Sequence, residues 1–351
     1  MTAALKLDHK INYGPLTAFF KSQDITEIMV NSWSQIFVEH KGLLVKTQQQ
    51  FASEKEFNYL IQSIIDGCTT NEKSFQLAYN GVLPEGYRFN ITMPPLTPKG
   101  CTLTIRTFSQ KIFSFDDLVS MNSITDKAAI FLKEAIQSRV TIVVSGGTGT
   151  GKTSLLNTFS LYIPESERVV SIEDTAELRS PHPNWINIIT TKSQLASTNA
   201  RECLMNSLRM RPDRIIIGEC RGAEAYDFLQ AINTGHEGSM TSIHANTAVD
   251  ALSRLENLVT LGHSEIPLKY LRKQMTDGIS IIVQLRRQEN GERKISEIIE
   301  LTGMEQDTIT RAVIFELNKK TKKLEPTGYV PYCLSMFKEN QTNVNSKFFS
   351  E

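Results

Sequence analysis

The chain has no surplus of either charge. Its 351 residues carry 38 Lys and Arg against 38 Asp and Glu, a formal net charge of zero. That balance removes the electrostatic case for a nucleic-acid binder, although a neutral total is compatible with a local basic patch. Also lacking is any apolar run approaching the roughly 20 residues that span a bilayer. The opening MTAALKLDHKINYGP lacks the apolar core of a secretory signal. The expectation is a cytosolic protein able to dock on a membrane protein. Cysteines are few and scattered: Cys68, Cys101, Cys203, Cys220 and Cys333, with no CxxC pair. An odd set without paired spacing excludes a disulfide framework and argues against a zinc site. No internal repeat is visible.

What is present is an ordinary globular composition, 40% hydrophobic and 22% charged, in a chain long enough for two domains. In the first part, ITEIMVN and QIFVEHKGLLV alternate as strands do. Ser53-x-x-Glu56 reads as a capping box, followed by Phe57, Leu60, Ile61, Ile64 and Ile65 on one helical face. YRFNITM and CTLTIRTF read as two more strands. This predicts a compact α+β domain over 1–109 and a linker over 110–123. From there TIVVS, RVVSI, RIIIG, MTSIH and ISIIVQL alternate with helical stretches. Several are continuously apolar, as parallel strands buried on both faces are. The second domain, 124–337, is therefore expected to be α/β with a mostly parallel sheet. It should end in a hairpin at Asn290-Gly291 and a strand in AVIFELN, with a flexible tail over 338–351.

After the apolar run VTIVVS the chain reads GGTGTGKT. This is GxxxxGK[ST], running from Gly146 through Gly147, Thr148, Gly149, Thr150 and Gly151 to Lys152 and Thr153, with Ser154 next. Glycines let successive backbone N–H groups curl around a phosphate. The helix that follows aims its positive end at the same anion. Lys152 can reach the β- and γ-phosphates, and Thr153 offers a hydroxyl to Mg²⁺. Such a site needs acids for the metal and for the attacking water. RIIIGE ends in Glu219, the candidate for the metal's water shell. SIEDTAEL offers Glu173, Asp174 and Glu177, with Glu173 the first choice as the base and Glu177 open to capping a following helix. His244, in TSIHAN, sits where it can report the γ-phosphate, and His236, in TGHEG, is expected to organise a turn.

Together GGTGTGKT, IEDTAEL, MRPDRIIIGECRGAEA, TGHEGSMTSIHAN and ALSRLE resemble the secretion-ATPase superfamily. The stretch from MRPD to SIHAN, with DITEIMVN, LPEGYRFNITMPP and TLTIRTF, is most similar to the Flp (tight-adherence) pilus assembly ATPases of the CpaF type. The resemblance runs from about residue 15 to about residue 335. It implies a PAS-like N-terminal domain hinged to a RecA-like ATPase domain, in a homo-hexamer on the cytoplasmic face of the inner membrane. It implies ATP and Mg²⁺ as cofactors and an inner-membrane pilus platform protein as partner. By the same resemblance Arg88 and Arg106 reach the phosphates when the domains close, and Arg209 and Arg211 lie near the subunit interface. A type IV secretion traffic ATPase is the alternative. LPEGYR departs from the family's usual LPDGSR-like turn, and there is no tetracysteine module of the kind some type II secretion ATPases carry.

Overall fold

The computed structural model describes residues 11–22, 24–68, 77–107, 111–192, 197–337 and 344–350. The chain divides into two compact units, Met1–Lys111 and Ile112–Glu351. In the first, a short helix α1 (Thr17–Phe20) precedes strands β1 (Ile25–Ser32), β2 (Gln35–His40) and β3 (Leu43–Lys46), helix α2 (Glu54–Cys68), and strands β4 (Ala78–Val82), β5 (Arg88–Thr92) and β6 (Thr102–Arg106). The six strands form one antiparallel sheet in the order β3-β2-β1-β6-β5-β4. Alternation decides its faces. Ile28, Val30, Ile36, Val38, Phe89, Ile91, Leu103 and Ile105 are buried with Phe57, Leu60, Ile61 and Ile64 of α2 in one core. Arg88, Asn90, Thr104 and Arg106 fall on the opposite phase of their strands. QIFVEHKGLLV is two strands, not one. Lys41 and Gly42 have φ of 50° and 79° and turn the chain back between β2 and β3. Of the capping box, half forms: Ser53 Oγ accepts from Glu56 N at 3.3 Å, while the Glu56 carboxylate takes Ala52 N.

The second unit opens with α3 (Phe115–Ser120) and α4 (Asp126–Gln137), then β7 (Ile142–Gly146), α5 (Lys152–Ser160), β8 (Val169–Glu173) and β9 (Trp185–Ile189). Two-residue strands β10 (Thr191–Lys192) and β11 (Ser197–Thr198) follow, then α6 (Ala200–Ser207), β12 (Arg214–Ile217), α7 (Glu224–Ile232), β13 (Met240–Ile243), α8 (Ala248–Gly262), α9 (Leu268–Gly278) and β14 (Ile281–Arg287). The chain closes with β15 (Arg293–Glu305), β16 (Thr308–Leu317), β17 (Leu324–Pro326) and α10 (Leu334–Phe337). The sheet order is β17-β16-β15-β14-β7-β13-β12-β8-β9, parallel from β14 to β9 and antiparallel from β14 to β17. The apolar strands are buried on both faces, as expected of parallel strands. Val144, Ile216, Ile281 and Val283 pack with α4 and α5 on one face. Val143, Ile217, Ile243 and Ile282 pack with α6 to α9 on the other.

Two boundary expectations meet a different structure. Residue 110 lies outside the described residues, and most of the expected linker 110–123 belongs to the second unit. Ser114 caps α3 by accepting from Asp117 N, and Phe115 is buried in the core. Of the expected flexible tail, 338–343 lie outside the described residues, whereas Val344 and Phe349 are buried. Phe349 meets Phe131 edge-on with ring centres 5.8 Å apart and Phe315 at 5.9 Å. The burial of Phe349 among these rings outweighs the polar composition around it.

Candidate functional site

β7 lies between β13 and β14. The next strand in sequence, β8, is placed beyond β13 and β12, so the strand order reverses direction at β7. In open parallel sheets a crevice forms there, outside the carboxyl ends of the strands. The glycine loop occupies this position, and α5 begins at Lys152. Gly149 and Gly151 have φ of 70° and 97°, a region where L side chains are strained. Gly146 is required by space: a Cβ there would lie 2.5 Å from Thr150 Oγ1 and 3.0 Å from the Leu285 carbonyl oxygen. Thr150 turns inward and donates to the Gly147 carbonyl at 2.9 Å, closing the loop. Thr153 is half-buried and Ser154 exposed in the first turn of α5.

Lys152 is buried inside this loop. Its Nζ donates to the carbonyls of Gly146 at 2.9 Å and Gly147 at 3.1 Å and lies 3.2 Å from His244 Nε2. Thr148 Oγ1 is also 3.2 Å from that nitrogen. An ammonium can only donate, so Nε2 accepts and Nδ1–H donates to Glu219 Oε1. Glu219 Oε2 accepts from Arg221 at 2.8 Å, and Arg221 reaches Asp174 at 3.3 Å. Asp174 in turn accepts from Thr190 Oγ1 at 2.9 Å. Burial pushes the Glu219 carboxyl up, but hydrogen bonds from Arg221 and His244 outweigh it and hold the group below its ordinary value. The result is a continuous polar row across the ends of β7, β13, β12 and β8.

The structure thus brings Lys152, Thr148, His244 and Glu219 together. Glu173 stands one strand further out than Glu219, at the end of β8 beside Gly218, where a Cβ would be 3.0 Å from Glu173 Cγ. Its Oε1 accepts from the backbone N–H of Glu177 at 3.1 Å and Leu178 at 2.9 Å. The expectation that Glu177 caps a helix is corrected: no helix follows, and the segment 174–184 is irregular, gathered around the Glu173 carboxylate. His236 Nδ1 lies 3.1 Å from the Ala231 carbonyl and organises the turn after α7. Arg209 and Arg211 are exposed just before β12, with Arg211 at φ 54°. In the first unit Arg88 and Arg106 are direct cross-strand partners, and Glu27 pairs with Arg106 on its other side.

Two residues at the site escaped the sequence reading. Arg221 stands two residues after Glu219, a local signal that was available. Arg293 comes from the start of β15, two strands from β7 in the sheet but distant in sequence: its Nε donates to the Gly149 carbonyl at 2.8 Å across 144 residues. Among the described residues no group of three or more His, Cys, Asp or Glu is arranged to hold a metal. Mg²⁺ asks less of the protein, since it keeps waters and takes phosphate oxygens along with one or two side chains. The Thr153 hydroxyl and the Glu219 carboxylate fit that demand. No helix among the described residues is long and apolar enough to cross a membrane.

A parallel sheet covered on both faces, with a glycine loop and helix N-terminus at its switch point, defines an α/β phosphate-binding protein. Residues 10–324 match the family described as type II/IV secretion system protein, and the chain belongs to that family. It is 33% identical over 286 residues to the conjugal transfer protein TrbB of Rhizobium radiobacter, covering 80% of this chain and 84% of that protein. It is 30% identical over 322 residues to the type IV secretion system protein VirB11 of Bartonella henselae, covering 81% and 90%. The solved structure of the pilus retraction motor PilT, with bound ADP, shares the fold at a TM-score of 0.57 and 17% identity, covering 93% of this chain and 86% of that one.

Proposed function

We propose that the protein is a Mg²⁺-dependent P-loop ATPase that works as a homo-hexameric ring at the cytoplasmic face of the inner membrane. Its output is assembly of an Flp/Tad-type pilus through an inner-membrane platform protein, with retraction open to the same chemistry. The observation that carries the reading is the glycine loop with Lys152 buried inside it and Glu219 joined to it through His244. The loop amides and the first turn of α5 bind the phosphate chain. Lys152 exchanges its carbonyl partners for the β- and γ-phosphates. Thr153 and, through water, Glu219 hold Mg²⁺, which neutralises charge between the phosphates. Glu173 orients the attacking water. His244, with Nε2 facing the loop, responds to the γ-phosphate. In this reading the first unit is the PAS-like domain and the second the RecA-like domain. Arg88 and Arg106 bring fixed positive charge to the phosphates on closure. Arg209 and Arg211 serve the subunit interface.

A second reading, a type IV secretion traffic ATPase that uses the same ring, is favoured by the similarity to TrbB and VirB11. Neighbouring genes separate the two: prepilin and platform genes against conjugation-channel genes. The chemistry is tested by the specific Mg²⁺-ATPase rate as a function of protein concentration, with Lys152→Ala as the blank. The expected result is a steep rise with concentration, because assembly completes each site. A wild-type rate equal to the blank at every concentration overturns the assignment.

A further inference from the structure

We propose that Gln284, on β14, is a positioning residue of the nucleotide site that holds His244 toward the γ-phosphate. This rests on the reading of His244 as the side chain that meets that phosphate. Gln284 is polar yet buried. Its Nε2 lies within hydrogen-bond distance of three carbonyls: Leu285 at 3.1 Å, Asn246 at 3.3 Å and Ala245 at 3.4 Å. Carbonyls only accept, so the NH₂ end of the amide faces them. Two of the three belong to the residues directly after His244. The third, the Leu285 carbonyl, crowds Gly146, where a Cβ would lie 3.0 Å from it. One buried amide thus joins the turn that carries His244 to the wall of the glycine loop.

Register brings the amide there. Ser145 of β7 pairs with Ile243 of β13 on one side and with Gln284 of β14 on the other. Neighbouring strands lie about 4.8 Å apart, so β13 and β14 stand about 10 Å apart with β7 between them. Ser145 is small, which leaves the Gln284 side chain room to cross toward the chain that continues from β13. The β14–β15 register shifts at the same place: Gln284 faces Glu297 and Leu285 faces Ile295, with Ser296 the extra residue. Ser296 Oγ donates to the Gln284 carbonyl at 3.3 Å. Bulges of this kind re-aim side chains beside sites. The turn itself has four residues, His244 to Thr247, between β13 and α8. The strand fixes one end, and Thr247 Oγ1 fixes the other by accepting from Asp250 N at 3.0 Å. Gln284 holds the middle. When phosphate draws Lys152 away from His244, this backbone grip keeps the ring aimed. The Gln284 Oε1 meets no hydrogen-bond donor among the described residues. An apolar side chain of that size would therefore suit the core at least as well.

The test uses the full chain as wild type, Gln284→Met, Gln284→Glu, His244→Ala, Lys152→Ala and the double variant His244→Ala with Gln284→Met. It measures affinity for MgADP and for the non-hydrolysed magnesium adenylyl imidodiphosphate, and Tm without either. Gln284→Met keeps the volume and removes the donors; Gln284→Glu keeps the shape and removes them. Each should bind MgADP as wild type does and lose roughly 5- to 10-fold of the preference for the triphosphate, the worth of one hydrogen bond to the γ-phosphate. The Tm of Gln284→Met should be unchanged or higher. In the His244→Ala background Gln284→Met should cost no further preference. Wild-type preference in both Gln284 variants overturns the proposal, as does an undiminished loss in the His244→Ala background, which places the effect elsewhere. A lowered Tm with weakened MgADP binding in Gln284→Met makes the residue a support of the fold and also overturns it. Wild-type preference in His244→Ala overturns the reading of His244 and the proposal with it, and wild-type affinity in Lys152→Ala overturns the site itself.

Discussion

Each unit carries one pair of arginines directly opposite each other on antiparallel strands: Arg88 and Arg106 across β5–β6, and Arg287 and Arg293 across β14–β15. The pairs differ in what completes their row. The first continues into Glu27 of β1, in register with Arg106. The second ends at the glycine loop, with Arg293 hydrogen-bonded to Gly149. A cross-strand cation pair is unfavourable by itself. The first has a carboxylate in register in its own sheet, while the second borders the glycine loop. On the proposed function, the first pair travels with its unit and acts on closure, whereas the second stays with the loop that Arg293 holds.

The largest effect that separates the two pairs is on turnover. Arg106→Ala is expected to leave MgATP affinity near wild type and to cut kcat on the order of 10²-fold, since its charge is used as the transition state forms. Arg293→Gln, which removes the donor to the Gly149 carbonyl, is expected to do the reverse, raising KM with little change in kcat. Steady-state kinetics of the two variants side by side checks this. Equal losses of affinity in both would merge the pairs into one binding surface and break the contrast.

A smaller effect comes from pH, and it isolates the acid row. The Glu219 carboxyl is held below its ordinary 4.5 by the hydrogen bonds from Arg221 and His244. A carboxyl whose folded value is depressed adds stability above its unfolded value and loses it as pH falls through the folded one. The stabilisation is therefore complete above about pH 4.5 and fades below it. Arg221→Gln removes the first of the lowering partners, so the acid limb of a Tm-against-pH curve should move upward. An unmoved limb would mean that Arg221 is incidental to the acid row, leaving His244 to hold Glu219.

How much of this was readable beforehand follows from how local each feature is. The glycine loop is legible because its requirements lie within eight residues: positive φ at Gly149 and Gly151, and no room for a Cβ at Gly146. The strands β7, β8 and β12 are legible because burial on both faces leaves a largely apolar run. The edge strand β9 is only partly buried along its length and leaves no such run. Arg88 and Arg106 could be named only by resemblance, since their pairing depends on a register set by turns elsewhere. Arg293 could not be named at all. It reaches Gly149 because β14 returns to lie beside β7 after every other parallel strand has been laid down. The tail misleads through composition: its Asn, Gln and Lys residues read as solvated, while Val344 and Phe349 anchor it in the core.

The smallest expected effect bears on the row in the first unit. Glu27→Gln removes the in-register carboxylate beside Arg106, which should cost about 0.2–1 kcal/mol, the range of an opposite-charge cross-strand pair. Arg88→Gln removes the like-charge neighbour on the other side of Arg106, which should offset part of that cost. The double variant should therefore lose less than the sum of the two singles in urea unfolding, a coupling that neighbouring residues show and distant ones do not. Strict additivity would mean that the three charges do not act on one another. The β5–β6 arginines would then be held apart by solvent rather than balanced by Glu27. The contrast with the β14–β15 pair would then have to rest on its hydrogen bond to the glycine loop alone.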